Sequence, residues 1–385
     1  MNRFVVERTA NQRSMDPVLL AVLVLLVTVG VSMLFSASYF RASNLFGDPL
    51  YFFRRQVLWV LLGTAGAVVA SRISLGLLQR HMRLILGVTL LLMLLTFVPG
   101  IGTEFLGARR WIFVFGYSVQ PSELAKLTVV LYLAYILSRK QDRMDDAVNA
   151  LLPPLIVVGV VALLIYLQND FSTAFFIVFV ALAVFFVADM PLRYFTGLAV
   201  MTFPLGLILL LSREHRVNRI ISFIEPEWDP AGTGYQVATS TAALRAGGLW
   251  GEGIGRSAEK IGRLPEAHSD FVFAVVAEEI GFVGMLLIFA LFCVFAYRGY
   301  LIAYLATDRF VSLSAFGITS VVMLQALLNF AVVSGLVPAT GVPLPFFSSG
   351  GSSVFMTLVN SGLLLNLSRY VELPESVEWG GAYHG

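Results

Sequence analysis

A carboxylate stands where a polar segment meets a long apolar run, a position that favours acid–base chemistry. Asp270 directly precedes the run 271–296, which is long enough to cross a bilayer, and a carboxylate there is costly without a partner or a role. His268 lies two residues before it, and Glu278 and Glu279 follow in the run, Glu278 about 12 Å deeper on a continuous helix. Three carboxylates on the opening turns of one span exceed what capping needs, so the cluster indicates a functional site, with simple helix capping by Asp270 as the alternative.

A second group of charged residues spans a loop and the helix that follows it. Arg110 lies in the loop, and the segment 120–126 opens with Gln-Pro-Ser, which is typical of a helix start. Glu123 and Lys126 are three residues apart, so they share one helix face. Arg110 and Lys126 could hold an anion on the outer face of the membrane. The alternative is a local ion pair between Glu123 and Lys126 that fixes the helix end.

Two further polar positions have simpler structural interpretations. Asp170 lies in a short turn between two apolar runs, where a carboxylate can cap the next helix. Gln236 precedes the glycine-rich stretch 247–255, whose composition indicates tight turns or a close approach of backbone segments. No Gly-Lys-Ser or Gly-Lys-Thr follows these glycines, so they do not form a phosphate-binding P-loop.

Polar and helix-breaking residues interrupt the apolar pattern near the C-terminal end. Gln325 and Asn329 lie within an apolar run, and prolines and glycines break the segment 338–353. Non-helical backbone at membrane depth must line a cavity or be surrounded by protein. The segment ends in Gly-Gly-Ser-Ser, which contains Ser352 and leads into a helix whose first N–H groups could bind an anion. A plain external loop is the alternative.

Membrane helices must position all of these residues. Of 385 residues, 58% are hydrophobic and 13% are charged, whereas soluble domains carry about 25% charged residues. We therefore predict an all-α polytopic membrane protein with ten transmembrane helices. The apolar runs lie near 17–35, 57–70, 84–98, 124–137, 151–167, 171–188, 194–211, 271–296, 310–332 and 354–367. The single cysteine, Cys293, excludes an intramolecular disulfide.

The distribution of Lys and Arg predicts the orientation of the chain. The loops on the N-terminal side of the membrane carry most of the positive charge of the short loops, which places both termini in the cytoplasm. The segment 212–270, between the seventh and eighth helices, then forms one large extracytoplasmic loop, which we expect to fold back over the membrane surface. We predict a single transmembrane domain over 1–370 and a polar cytoplasmic tail over 371–385.

Taken in order, these motifs resemble those of the SEDS family of shape, elongation, division and sporulation proteins. The resemblance covers nearly the whole chain. It rests on the segments 107–112, 120–126, 234–236, 247–255, 264–271, 278–281 and 344–353. The Leu-Pro-Glu-Ala-His sequence before Asp270 is more similar to the division branch, FtsW, than to the elongation branch, RodA. A RodA-like protein and a sporulation paralogue stay open as alternatives.

The resemblance implies a peptidoglycan glycosyltransferase that polymerises lipid II, a disaccharide-pentapeptide on undecaprenyl pyrophosphate. The family's essential aspartate falls on Asp270, which we expect to act as a general base. Arg110 and Lys126 are the expected partners of the pyrophosphate, with Lys260 as a further candidate. Additional substrate contacts are expected from Glu123, Gln236, His268 and Ser352, and structural support from Glu278, Glu279 and Asn329.

The same resemblance implies partners and a location. A class B penicillin-binding protein is the expected transpeptidase partner, together with other divisome membrane proteins, and no nucleic acid is expected. The site is expected on the extracytoplasmic face of the bacterial cytoplasmic (inner) membrane. No motif specifies a cofactor, although a divalent cation, Mg²⁺ or Mn²⁺, could bridge the pyrophosphate to a carboxylate. Two other functions stay open, a lipid II flippase and a non-enzymatic divisome scaffold.

Overall fold

The computed structural model of the chain describes residues 14–105, 107–114, 116–140, 151–225, 232–257 and 271–371. Three residues of the predicted site, Lys260, His268 and Asp270, lie outside these ranges, as does the predicted tail beyond residue 371. Within the described ranges the chain is mostly helical, as predicted, with one small sheet.

Helices form at each of the ten apolar runs. The described α-helices are α1 Pro17–Phe46, α2 Tyr51–Ala70, α3 Leu75–Arg80, α4 Met82–Leu95, α5 Pro121–Arg139, α6 Leu152–Leu167, α7 Phe171–Val187, α8 Leu192–Leu211, α9 Glu214–Ile224, α10 Thr233–Gly247, α11 Val272–Leu305, α12 Arg309–Val333 and α13 Gly351–Leu367. Asp16, Asp170 and Asp308 cap α1, α7 and α12, each accepting a hydrogen bond from the N–H three residues later.

Not every helix has the length that a membrane crossing needs. Among the described residues, α1, α2, α5, α8, α11 and α12 are long and apolar enough to cross a membrane, and α4, α6 and α7 are shorter apolar helices. The number of ten crossings therefore stays a prediction. Helices α9 and α10 lie in the predicted extracytoplasmic segment 212–270, which is folded where the structure describes it.

Helix α5 lies at the centre of the bundle. In its most apolar 18-residue stretch 78% of the residues are buried, whereas the corresponding stretch of α8 has none. Helix α5 contacts α4, α7 and α12. This position places Glu123 and Lys126, on the first turns of α5, inside the protein.

A three-stranded antiparallel sheet precedes α5 and delivers Arg110 to the site. Its strands are β1 Gly102–Phe105, β2 Ala108–Val114 and β3 Tyr117–Val119, in the order β1-β2-β3. Gly107 and Gly116 have φ of 75° and 82° at the two turns, a conformation that glycine adopts at little cost. This sheet was not predicted, because β2 lacks a regular alternation of apolar and polar residues.

Helix α11 is interrupted at Gly281, where φ is 66° and ψ is −171°. The glycine-rich segment replaces the lost helical hydrogen bonds with its own backbone. The N–H groups of Glu252 and Gly253 donate to the carbonyls of Glu278 and Glu279, each at 3.0 Å. In the opposite direction, Phe282 N–H donates to the Gly248 carbonyl at 2.9 Å and Val283 N–H to the Leu249 carbonyl at 3.1 Å. A Cβ atom on Gly251 or Gly281 would collide with backbone atoms of the other segment. The structure therefore corrects the expectation of one continuous helix over 271–296.

Candidate active site

A cavity of about 1620 Å³ lies between α5, α7, α9, α10 and the segment that leads into α13. Its wall brings together five of the residues that the sequence singled out, namely Arg110, Glu123, Lys126, Gln236 and Ser352. Phe271, the residue that follows Asp270 in the chain, also lines it. This cavity is the candidate active site.

Lys126 is held in the buried part of the wall by two acceptors. Its Nζ lies 2.8 Å from Glu123 Oε1 and 3.0 Å from Gln325 Oε1, and all three side chains are buried. Gln325 Nε2 donates in turn to the carbonyl of Pro343 at 3.0 Å. Burying an ammonium group is tolerable only with a charge partner and hydrogen bonds, and this network supplies both. The local ion pair is thus present, and both of its members also line the cavity.

Arg110 reaches the cavity from β2, where Asp170 holds it. The Arg110 Nη1 atom lies 3.2 Å from Asp170 Oδ2, which also accepts from Gln120 Nε2 at 3.2 Å. The second oxygen of Asp170, Oδ1, accepts the N–H of Thr173 and caps α7, as predicted. Asp170 therefore fixes a helix end and neutralises a cavity-lining cation at the same time.

The first turn of α13 forms another part of the wall. Gly350 is its N-cap residue and provides no side-chain cap. Ser352 is only 4% exposed and lines the cavity, and its Oγ has no hydrogen-bond partner among the described residues. The carbonyl of Val342, earlier in the same segment, accepts from Asn329 Nδ2 at 3.0 Å. A buried hydroxyl without a partner costs free energy, so this wall favours a polar ligand.

Three arginines of α9 line the cavity, and none of them was among the predicted site residues. Arg213 is the N-cap residue of α9, and Arg216 and Arg219 follow at intervals of three residues, with all three side chains lining the cavity. A signal was present in the sequence as a basic repeat of period three within an amphipathic segment.

Glu278 and Glu279 are buried away from the cavity. Glu279 Oε1 accepts from Ser36 Oγ on α1 at 2.6 Å, and Glu278 accepts from Ser257 Oγ at the end of the glycine-rich segment. Neither carboxylate lines the cavity, and neither does Asn329. These contacts tie the N-terminal part of α11, which leads back to Asp270, to two neighbouring segments.

The described residues do not fit a metal site of their own. Within the described ranges no group of three or more His, Cys, Asp and Glu side chains is arranged to hold a metal ion. The described carboxylates that line the cavity, Glu123 and Asp170, contact Lys126 and Arg110 instead.

The family model described as "Cell cycle protein", which carries the names FtsW, RodA and SpoVE, matches residues 16–373. The chain belongs to the FtsW/RodA/SpoVE family. The resemblance to SEDS proteins that the motifs predicted is thereby confirmed.

Individual members of the FtsW/RodA/SpoVE family align over nearly their whole length. The chain is 39% identical over 351 residues to "Probable peptidoglycan glycosyltransferase FtsW" of Borreliella burgdorferi, covering 91% of this chain and 95% of that protein. It also superposes on one chain of the structure described as "Structural coordination of polymerization and crosslinking by a peptidoglycan synthase complex". The TM-score is 0.76 and the sequence identity 28%, and the match covers 92% of this chain and 98% of that one. RodA of Thermus thermophilus matches with a TM-score of 0.67 and 26% identity, covering 94% and 98%.

Proposed function

We propose that this chain polymerises lipid II into glycan strands during septal cell-wall synthesis, with Asp270 as the general base. As a member of the FtsW/RodA/SpoVE family it is a peptidoglycan glycosyltransferase, the activity named for its Borreliella burgdorferi relative. The cavity carries the proposal for the site. It gathers residues from α5, β2, α10 and α13. Phe271, the residue that follows Asp270 in the chain, lies in the same wall.

The chemistry requires a base and a stabilised leaving group. The donor sugar is α-linked to a lipid pyrophosphate and the strand linkage is β, so one in-line displacement with inversion suffices. A hydroxyl of a second lipid-linked saccharide attacks the donor carbon while Asp270 accepts its proton, and the lipid pyrophosphate leaves. Positive charge placed beforehand near the leaving group lowers the barrier, because it need not reorganise during the reaction.

Lys126 and Arg110 supply that charge in fixed positions. An ammonium group has three donors, and the bonds of Lys126 to Glu123 and Gln325 use two of them. We assign the third donor to the pyrophosphate. Arg110 keeps its guanidinium at the cavity through Asp170, and the unpartnered hydroxyl of Ser352 lies in the same cavity wall as both cations.

The setting of the reaction follows from the same proposal. The cavity opens on the outer face of the bacterial cytoplasmic membrane, and both termini lie in the cytoplasm, as the positive-inside rule predicts. A class B penicillin-binding protein cross-links the strands as they form. The match to a chain of a peptidoglycan synthase complex supports such a partner.

Polymerisation of purified lipid II tests the function directly. The wild-type chain and Asp270→Asn are each reconstituted with a penicillin-binding partner that retains only transpeptidation, and glycan strands are resolved on a gel. Glu104→Gln is the matched control, because Glu104 is exposed on β1 and does not line the cavity. We expect strands from the wild type and from Glu104→Gln, and none from Asp270→Asn.

The possible results separate the alternatives. Equal strands from the wild type and Asp270→Asn would remove Asp270 as the base. If no variant forms strands but the wild type moves lipid II across a vesicle membrane, the flippase alternative replaces this proposal. A scaffold would tolerate Asp270→Asn as long as the partner still bound, so partner binding is measured on the same samples.

A further inference from the structure

The three arginines of α9 form a basic surface at the edge of the cavity, which we call the arginine face: Arg213, Arg216 and Arg219. All three line the cavity, whereas Glu214, the one carboxylate in α9, does not. Planar guanidinium groups bind phosphate oxygens in pairs of parallel hydrogen bonds. The arginine face therefore has the chemistry of a phosphate site.

Arg216 anchors this face to the membrane helices. Its side chain is buried, and Nη1 donates to the carbonyl of Leu209 on α8 at 2.7 Å. The guanidinium lies 4.8 Å from the ring centroid of Tyr166 on α6 and 5.0 Å from that of Phe171 on α7, distances typical of cation–π contacts. Arg213 and Arg219 lie about one turn to either side and are exposed. Arg216 thus holds α9 against the membrane helices, and Arg213 and Arg219 place positive charge at the cavity.

An apolar stripe leads along α7 to the arginine face. Phe171, Phe175 and Phe179 recur every four residues and line the cavity over about 12 Å of helix. Phe175 is 57% exposed and Phe179 is 50% exposed, while Phe171 lies beneath Arg216. We call these three residues the phenylalanine stripe. A groove that is apolar along its length and cationic at one end complements an amphiphile with a long hydrocarbon chain and an anionic head.

The charges of the arginine face act on a histidine of the same helix. The pKa of His215 is lowered, first by partial burial and then by the charges of the arginine face, with Arg216 the largest contributor. Arg219 Nη1 lies 3.4 Å from the carbonyl of Ala339, which belongs to the segment before α13. The arginine face therefore reaches across the cavity to the wall on its other side.

We propose that the arginine face and the phenylalanine stripe form a second binding subsite for a polyprenyl pyrophosphate. Its phosphates lie against Arg213 and Arg219, and its chain follows the stripe. The inference rests on the proposed function, since an enzyme that joins two lipid-linked saccharides must hold two pyrophosphates. Arg110 and Lys126 bind the first of these pyrophosphates in the proposed function.

Native mass spectrometry of the full chain in phosphatidylcholine nanodiscs tests the subsite by counting bound undecaprenyl pyrophosphate. At concentrations where the wild type binds two molecules, Arg213→Gln/Arg219→Gln is expected to bind one, with affinity for the second reduced about tenfold or more because two charge-assisted contacts are lost. Arg213→Lys/Arg219→Lys keeps the charge without the bidentate geometry, so an intermediate affinity is expected.

A matched control separates a site from bulk charge. Arg54→Gln/Arg245→Gln removes the same charge from two exposed residues outside the cavity and is expected to bind two molecules, as the wild type does. Arg216 stays intact in every variant, so α9 keeps its anchor. Thermal unfolding midpoints within about 2 °C of the wild type confirm that the fold is retained.

The results that overturn the inference are distinct from those that overturn the proposed function. Two molecules bound by Arg213→Gln/Arg219→Gln, or one by the wild type, would remove the subsite. If Arg213→Gln/Arg219→Gln loses affinity for phosphatidylglycerol to the same extent as for undecaprenyl pyrophosphate, the arginine face binds ordinary anionic lipid. If the wild type binds two molecules, the variant binds one, and lipid II is still not polymerised, the subsite stands and the proposed function fails.

Discussion

The two cationic groups of the cavity are built in opposite ways. Lys126 is 6% exposed and Arg110 is one-third exposed, and each lies within 3.2 Å of a carboxylate. Arg213 and Arg219, on α9, are exposed and belong to a helix with a single carboxylate. The inner cations are neutralised and oriented by the fold before a substrate arrives. The outer cations are exposed side chains, and each loses conformational freedom when it closes on a ligand.

This difference suits two different tasks. Fixed charge lowers a barrier because it is already in place when the leaving group becomes negative. Exposed arginines attract and retain an anionic lipid head, and the loss of side-chain entropy limits how tightly they hold it. The inner pair should therefore respond to substitution mainly in stability and turnover, and the outer pair mainly in substrate affinity.

The largest effect is expected at the inner ion pair. Glu123→Gln leaves the buried Lys126 ammonium without its charge partner, which should cost about 3–5 kcal/mol of stability. Glu123→Leu/Lys126→Met removes both charges and should recover most of that loss while abolishing polymerisation. Thermal unfolding in detergent and strand formation are measured on the same preparations. A Glu123→Gln variant as stable as the wild type would show that the pair is not held as the structure indicates.

A smaller effect is expected where Asp170 holds Arg110. Asp170→Asn keeps the cap on α7 but loses the ion pair and the hydrogen bond from Gln120, which share Oδ2, so we expect a stability loss on the order of 1 kcal/mol, because Arg110 is partly exposed to solvent. Asp170→Ala also removes the cap and should cost about 1 kcal/mol more. Comparing the two unfolding midpoints isolates the cap. Equal midpoints for Asn and Ala would contradict the capping role.

Much of this architecture was accessible from the sequence, for a physical reason. Hydrocarbon requires the backbone of a membrane span to satisfy its own hydrogen bonds, so long apolar runs become helices, and all ten runs do. The spacing of Glu123 and Lys126 likewise fixed their contact, because residues three apart on a helix are neighbours. The pairing of Arg110 with Asp170 was not accessible, since it joins β2 to α7 across a large separation in the chain.

The break in α11 was also not predictable from the sequence, because it depends on contacts between segments far apart in the chain. Gly281 follows two glutamates in an apolar run, a pattern that a continuous helix accommodates. The interruption depends on backbone groups of the distant stretch 248–253, which replace the lost bonds. The arginine face was not predicted, although its basic repeat is present in the sequence, because the repeat identifies a cavity wall only once the position of α9 against the membrane helices is known. Non-local contacts therefore determine the parts of the site that local patterns missed.

The phenylalanine stripe should respond more weakly than the charges. Phe175→Ala removes apolar surface along the proposed path of the polyprenyl chain and should raise the apparent KM for lipid II about threefold to tenfold. A lipid II analogue with a short prenyl chain should show a smaller change. Phe203→Ala is the control, because Phe203 is 75% exposed on α8 and does not line the cavity. The same change in KM for both variants would attribute the effect to the bilayer surface.

The smallest effect concerns His215, which reports on the charge of the arginine face. Its pKa lies below the ordinary 6.5, through partial burial and then the charges of Arg216, Arg219 and Arg213. The unfolded chain therefore takes up a proton before the folded chain does, and this histidine makes the fold less stable as pH falls below about 6.5. Arg213→Gln/Arg219→Gln should raise the pKa of His215 towards 6.5 and reduce this loss of stability at low pH.

Bound undecaprenyl pyrophosphate should also raise the pKa of His215, because the pyrophosphate offsets the same positive charge. Titration of labelled histidine by NMR, with the signal assigned through His215→Gln, measures both shifts, and an unchanged pKa on ligand addition would place the pyrophosphate away from α9.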